Sequence, residues 1–314
     1  MQVFDAAATR AAIPIGELLD AVQEAYRDVA AGRDRSPLRT HVALAGGDLL
    51  LMPGVRDGGT GSTVKLVTIT PANAERGLPT IHALVAWIDA ATGEPRAIFD
   101  GPTITAMRTG AASGVATRLM ARPDARVLGL VGAGVQAAWQ VRAVVAVRPI
   151  EEVRVFARDA RRRDAFVAAL DDLGVPLEVR AVPDPESAVR GADVVCAATT
   201  STTPVFDAAW VSAGCHVNGI GAYRPGMVEL PPELFGRAGT VAVDSRTAAL
   251  AEAGDLLAAV EGQHVGEADL VEIGRIGRDW AARRDPEAIT VFKSVGLAIQ
   301  DVAAAEIAAR RLLG

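Results

Sequence analysis

R-V-L-G-L-V-G-A-G-V-Q-A, running from Arg126 to Ala137, decides how the rest of the chain is read. The mostly apolar run Arg126 to Val131 leads straight into Gly132-Ala133-Gly134, and an Ala-rich helical pattern from Gln136 to Val147 follows. That is strand, tight turn, helix. Gly132 can take the positive φ that the turn needs, and Gly134 lets backbone approach a diphosphate closely. Ala137 stands where a third glycine would, small enough for a helix to pack on its strand. The helix N-terminus offers N–H groups and partial positive charge to phosphate, with Val135 and Gln136 completing the turn. A second apolar strand, Val153 to Ala157, closes a βαβ unit of dinucleotide-binding length.

Working outward, further strands are expected at 177–182, 192–198, 215–220 and 240–244, with helices between several of them. Before the βαβ region the pattern differs. A helix over Pro14 to Ala31 presents Leu18, Leu19, Val22, Ala25, Tyr26 and Val29 at helical spacing, and Gly32 stops it. Short alternating segments follow at Thr40 to Leu44, Asp48 to Met52, Ser62 to Thr70, Ile81 to Asp89 and Arg96 to Phe99. Gly and Pro punctuate them, which predicts an antiparallel or mixed sheet. Thr105 to Met120 reads as a crossing helix. Thr290 to Phe292 precedes a long Ala-rich helix, Val295 to Leu312. The expected division is therefore 1–120 for an α+β substrate-binding domain, 121–290 for a Rossmann domain, and 291–314 for a helix returning to the first.

The 314 residues are 50% hydrophobic and 22% charged with net charge −6, a balance that suits a globular enzyme and argues against a nucleic-acid surface. No apolar span is long enough for a membrane helix, and M-Q-V-F-D lacks a signal-peptide layout. Cys196 and Cys215 lie in apolar runs without metal-ligand spacing, as buried thiols of a cytoplasmic protein would. His41, His216 and His264 show no metal pattern either, so no metal is expected.

Three cations attract attention. Lys65 lies in V-K-L-V-T, Arg108 in M-R-T-G-A-A-S, and Arg39 follows Pro37-Leu38. Lys65 and Arg108 sit in small or apolar company, where a small carboxylate would be their partner. For each of the three alone the plain alternative is a surface charge or an internal ion pair, and for Arg39 that alternative is the favoured one. His82, in I-H-A-L-V, is either a core histidine or a proton donor to substrate nitrogen.

Several blocks together resemble the ornithine cyclodeaminase/mu-crystallin family. They are V-K-L-V-T around Lys65, D-G-P-T-I-T-A-M-R-T-G-A-A-S from Asp100, V-G-A-G-V-Q-A from Val131, G-I-G-A-Y-R-P-G-M-V-E-L from Gly219, V-D-S from Val243 and I-T-V-F-K-S-V-G-L-A-I-Q-D from Ile289. The resemblance implies a homodimer with a nicotinamide-binding Rossmann domain, acting on amino acids or their cyclic imines. It places the substrate-carboxylate cations on Lys65 and Arg108, with Arg39 as a third. The cofactor turn falls on Gly132 and Gly134. Thr109 and Ser113 would approach the diphosphate, Thr199 and Thr200 would form the adenosine-side wall, and Ser294 would lie near the nicotinamide. Strand-end capping is the plain alternative for the threonines.

One departure matters. Ornithine-cyclising members have an Asp two residues before the Pro-Gly of this segment, and here Tyr223 stands there, before Arg224-Pro225-Gly226. A phenol is a poor base at neutral pH. The segment is closer to ketimine reductases and pyrroline-2-carboxylate reductases, and Glu229 is not expected to substitute. Coenzyme choice turns on Ala157-Arg158-Asp159, where Arg158 favours NADP(H) and Asp159 keeps NAD(H) possible. The reading is an NADPH-dependent reductase of small cyclic imino acids to cyclic L-amino acids, with Lys65, Arg108 and Tyr223 at the substrate. Its alternatives are cyclodeamination or amino-acid dehydrogenation on the same scaffold, or a non-catalytic mu-crystallin-like binding protein.

Overall fold

The computed structural model describes residues 1–170, 177–283 and 285–314. They form two compact units, Met1–Arg108 with Leu297–Gly314, and Thr109–Gly296. In the first unit, β1 (Gln2–Phe4), α1 (Ala6–Ala11) and α2 (Ile15–Ala30) are followed by β2 (Thr40–Leu44), β3 (Gly47–Gly54), β4 (Gly61–Ile69), β5 (Ile81–Asp89) and β6 (Pro95–Asp100). Among the described residues these strands form one sheet in the order β1-β6-β5-β4-β3-β2. Its ladders are antiparallel apart from β1 beside β6, so the sheet is mixed. Alternation in β4 buries Gly61, Thr63, Lys65 and Val67 on one face, the period-two signature of a half-covered sheet. β2 at the edge is exposed along its whole length.

The first boundary falls inside α3 (Gly101–Met120), whose first eight residues belong to the first unit and the rest to the second. This helix shows no polar stripe because nearly every side of it is buried. Beyond it come β7 (Val127–Val131), α4 (Ala137–Val145), β8 (Glu152–Phe156), α5 (Ala160–Leu170), β9 (Glu178–Ala181), α6 (Pro185–Val189), β10 (Val194–Ala197), β11 (His216–Gly219), α7 (Pro232–Arg237), β12 (Ala238–Val243), α8 (Arg246–Glu252), α9 (Gly254–Glu261), β13 (Leu270–Glu272) and β14 (Ile289–Lys293). Among the described residues the second sheet is parallel throughout, in the order β13-β12-β14-β11-β10-β7-β8-β9. Continuous apolar runs such as V-V-C-A in β10 suit strands covered on both faces. Strand order reverses between β7 and β10, which defines the switch point of a Rossmann fold.

Two strands differ from the sequence expectation. β14, expected only as a short piece before the last helix, is inserted between β11 and β12. β13, with three residues, is too short to show a period and was not expected. Neither follows from local pattern, because each depends on which distant strand has an open edge.

The chain then returns to the first unit as α10 (Ala298–Leu312). There it packs on α2 and on the face of β3, β4 and β5 that carries Lys65. Its alanines let the helix approach closely, and Ile299, Val302 and Ile307 fill the space together with Leu18, Val22 and Tyr26 of α2. No helix among the described residues is long and apolar enough to cross a membrane.

Candidate active site

In the first unit, β4 and α10 bring an acid to two cations. Lys65 and Asp301 are essentially inaccessible to solvent, and Arg108 at the unit's end of α3 is buried too. Lys65 Nζ lies 2.7 Å from Asp301 Oδ2, and Arg108 Nε lies 3.2 Å from Asp301 Oδ1. Arg108 Nη1 donates to Gln300 Oε1 at 2.9 Å, and Gln300 in turn donates to the Tyr26 hydroxyl. Gln300 Oε1 also accepts the Leu297 N–H, fixing the first turn of α10. Two cations against one carboxylate leave a buried charge of +1. Arg39, just before β2, is close enough for its charge to act on Lys65.

Burial pushes the Lys65 ammonium down to about 7, with Arg108 and Arg39 adding to the push while Asp301 opposes it. An ammonium has three donors. Although Lys65 Nζ and both Asp301 oxygens are buried and in ion-pair contact, none has an aligned hydrogen bond among the described residues. A buried surplus cation with unused donors is costly unless an anion completes it. A small carboxylate would do so.

His82 does not join this group. The register pairs Lys65 with Val85 and Thr68 with His82, so alternation places His82 on the opposite sheet face from Lys65. It is also exposed, which corrects the core-histidine reading. A donor to a substrate held by Lys65 would need to share its face.

In the second unit the chemistry gathers at the carboxyl ends of the strands. Gly132, directly after β7, has φ 115°, and a Cβ there would stand 2.5 Å from the Ala198 carbonyl oxygen, so glycine is required. A Cβ on Gly134 would project into open space, with nothing within 4 Å. Val135 beside it is 78% exposed. Gln136 stands at the N-cap position of α4 without a side-chain cap bond, and its buried Oε1 has no partner among the described residues. Thr109 and Ser113 lie one turn apart on α3, both buried, with Ser113 Oγ likewise unpartnered. An open glycine turn at the switch point, with the unpartnered Gln136 Oε1 at the start of the following helix, fits a dinucleotide diphosphate.

The remaining expected residues occupy neighbouring strand ends. Arg158 is exposed after β8, while the Asp159 carboxylate accepts the Arg162 N–H at 3.2 Å and so caps α5. Thr199 follows β10 and donates both its N–H (2.8 Å) and its hydroxyl (3.1 Å) to Glu229 Oε2; Thr200 is exposed. Ser294, buried after β14, donates to Asp244 Oδ2 at 2.8 Å. The same oxygen accepts the Val295 and Gly296 N–H groups, so Asp244 shapes that turn. Burial raises the Asp244 carboxyl above its usual range. Tyr223 is half-buried, and the Arg224 guanidinium lies 5.4 Å from its ring centre.

Sequence reasoning missed Asp301, Gln300, Asp255 and Lys293, and set Glu229 aside. Asp301 in the first turn of an Ala-rich helix reads as an ordinary helix-dipole partner. Lys293 ends an apolar strand, a placement like that of Lys65 in V-K-L-V-T, and this was the available signal. It is buried with its Nζ 3.1 Å from Asp255 Oδ2.

Comparison with known proteins agrees with this organisation. A Delta(1)-pyrroline-2-carboxylate reductase of Bacillus cereus is 38% identical over 318 residues, covering 100% of this chain and 97% of that protein. The structure of Thermococcus litoralis Delta(1)-pyrroline-2-carboxylate reductase in complex with NADH and L-proline superposes with TM-score 0.94 at 33% identity, covering 100% of this chain and 98% of that one. An archaeal alanine dehydrogenase dimer with bound NAD gives TM-score 0.91 at 34% identity, covering 99% and 95%. With the family's own pattern matching residues 2–314, this chain belongs to the ornithine cyclodeaminase/mu-crystallin family.

Proposed function

We propose that the protein is an NADPH-dependent reductase that converts small cyclic imino acids, pyrroline-2-carboxylate or piperideine-2-carboxylate, to the cyclic L-amino acids. The observation that carries this reading is the buried surplus cation formed by Lys65, Arg108 and Asp301. Lys65 donates to one carboxylate oxygen of the substrate while Arg108, steadied by Gln300, presents its planar fork. Arg39 adds positive potential. When bound, the nicotinamide coenzyme supplies the hydride. A protonated imine accepts it at carbon and keeps its own proton on nitrogen, so the site needs orientation and a dry, charged surrounding more than a strong base. Tyr223 in place of a carboxylate suits reduction better than cyclodeamination. Similarity to the Bacillus and Thermococcus reductases supports the substrate class. The test is NADPH oxidation with both imino acids; no turnover with either overturns the reading.

Gly132, Gly134, Val135 and Gln136 cradle the diphosphate in this proposal, with Thr109 beside them, Thr199 and Thr200 along the wall, and Ser294 near the nicotinamide. The Thermococcus reductase structure carries NADH and the archaeal alanine dehydrogenase structure carries NAD. For this chain NADPH is favoured, because Asp159 is occupied in capping α5 while Arg158 is exposed and able to meet a 2′-phosphate. Arg158→Ser is expected to raise the KM for NADPH by about 10-fold or more and leave that for NADH within about twofold, the loss of one charge-assisted phosphate contact. Equal effects on both coenzymes would refute the assignment.

The affinity for an acid should also depend on pH. Burial pushes the Lys65 ammonium down to about 7, and a bound carboxylate raises it, so binding takes up a proton. Affinity is full below pH 7 and falls as pH rises beyond it. Calorimetric titration with pyrrole-2-carboxylate, a planar mimic of the imine, between pH 6 and 9 reads this directly; a flat profile contradicts it.

A homodimer is proposed on the edge strand β2, exposed throughout, with Val42 and Leu44 on its surface. The related alanine dehydrogenase is a dimer. Light scattering should give twice the chain mass, and charging both positions (Val42→Lys with Leu44→Lys) should yield monomer. A cytoplasmic setting is consistent with Cys196 and Cys215, buried free thiols that burial pushes up to about 12.

A further inference from the structure

Glu229 is fully buried, and the chemistry proposed above gives it no task. Its two oxygens serve two different strand ends. Oε2 accepts the Thr199 N–H at 2.8 Å and the Thr199 hydroxyl at 3.1 Å, two residues past the end of β10. Oε1 accepts the Gly221 N–H at 2.6 Å, two residues past the end of β11. One carboxylate thus bridges adjacent strands at matching positions. The backbone around it is stitched to the same segment, since the Val205 N–H donates to the Glu229 carbonyl and the Val228 N–H to that of Ser201.

The packing leaves no slack. A Cβ on Gly221 would stand 2.0 Å from the Thr199 carbonyl oxygen and 2.5 Å from Glu229 Oε2. Behind the carboxylate, Asp255 accepts the Leu230 N–H and pairs with Lys293, the residue before Ser294. The polar cluster therefore reaches from β10 and β11 to β14. In a doubly wound sheet the dinucleotide crosses the switch point, and its second half lies over the strands on the β10 and β11 side. That is the side Glu229 holds.

We propose that Glu229 is a positioning residue for the nicotinamide half of the coenzyme: by clamping the segments leaving β10 and β11 it fixes the surface on which that half rests and the approach of the chain to Tyr223. The proposal rests on the coenzyme reading above. The adenosine half depends instead on β7, β8 and the glycine turn, to which Glu229 makes no direct bond, and Thr199, leaving β10 beyond the switch point, is assigned here to the nicotinamide half rather than to the adenosine-side wall.

The experiment compares NADPH with 2′-phospho-ADP-ribose, which has the same adenosine and diphosphate but no nicotinamide. Glu229→Gln keeps the shape but turns one acceptor into a donor, leaving a buried N–H of Thr199 or Gly221 without its partner. The Kd for NADPH, followed by its fluorescence, should rise about tenfold or more, the effect of one such orphaned group. The Kd for 2′-phospho-ADP-ribose should stay within about twofold, since no contact to that half changes. Equal weakening of both ligands, or of neither, overturns the proposal. Should Glu229→Gln fail to fold, Glu229→Asp retains the charge but is one methylene too short to span both segments, and the same pair of affinities decides. If the unaltered protein binds neither compound, the coenzyme reading itself fails, and the proposal falls with it.

Discussion

Replacing Lys65 by methionine is expected to lower kcat/KM for pyrroline-2-carboxylate by about 100-fold or more while leaving the thermal midpoint unchanged or slightly raised, because loss of a desolvated charge partner costs about 2–5 kcal/mol in binding. The two effects separate by charge counting. Lys65 and Arg108 share one carboxylate, Asp301, so the buried group carries a surplus positive charge. Methionine is similar in length and apolar, and removing the ammonium leaves Arg108 and Asp301 as a balanced pair. The folded state then loses one attraction but also one desolvation cost, and burial already disfavours the Lys65 cation enough to pull its titration down to about 7. Replacing buried ions by well-packed apolar groups is often neutral or stabilising. Stability and function thus pull in opposite directions at this position. Parallel measurement of steady-state kinetics and thermal unfolding checks both halves. A variant that kept full activity would show that Lys65 does not hold the substrate, and one that lost many degrees of stability together with activity would show that it holds the fold instead.

Asp301→Asn should do the reverse to stability. It removes the only carboxylate within ion-pair distance of Lys65 among the described residues and leaves two cations buried side by side. Removing one partner from a buried pair costs about 3–5 kcal/mol. For a unit of this size that corresponds to a fall of about 10 °C in the midpoint, measured by calorimetry. The substitution should also move the pH dependence. Asp301 is the influence that raises the Lys65 titration against burial, so without it Lys65 loses its proton at still lower pH. The sign is definite. A lysine whose titration is depressed binds the acid fully only below that point, and the fall in affinity for pyrrole-2-carboxylate should begin at lower pH than in the parent protein. An unchanged midpoint, or an unshifted profile, would mean that the charges are compensated elsewhere.

The two cations were legible in the sequence because each stands in apolar or small-residue company, where a charge without a purpose is rare. Their counter-ion was not. Asp301 lies far along the chain, in the first turn of a helix where aspartate needs no special explanation. The glycine turn was legible for a related reason: Gly132 and the run before it are local, and the positive φ it adopts is a property of one residue. The rest of the parallel sheet was readable as separate strands, yet the insertion of β14 between β11 and β12 depends on edges left open by distant segments. His82 marks the same limit. Period-two alternation was visible, but which face it shares with Lys65 required the register between β4 and β5. Glu229 was passed over because V-E-L-P shows no chemistry until the two strand ends it serves are brought together.

The divided first unit has a consequence for how the protein is made. Its sheet is complete by Asp100, but the helix that covers the Lys65 face is made only after the parallel domain. Until then, the face of β3, β4 and β5 has no lid, and Lys65 has no anion. The nascent chain must carry this half-built layer through the synthesis of the whole parallel domain, a period in which bare strands are prone to stick to one another.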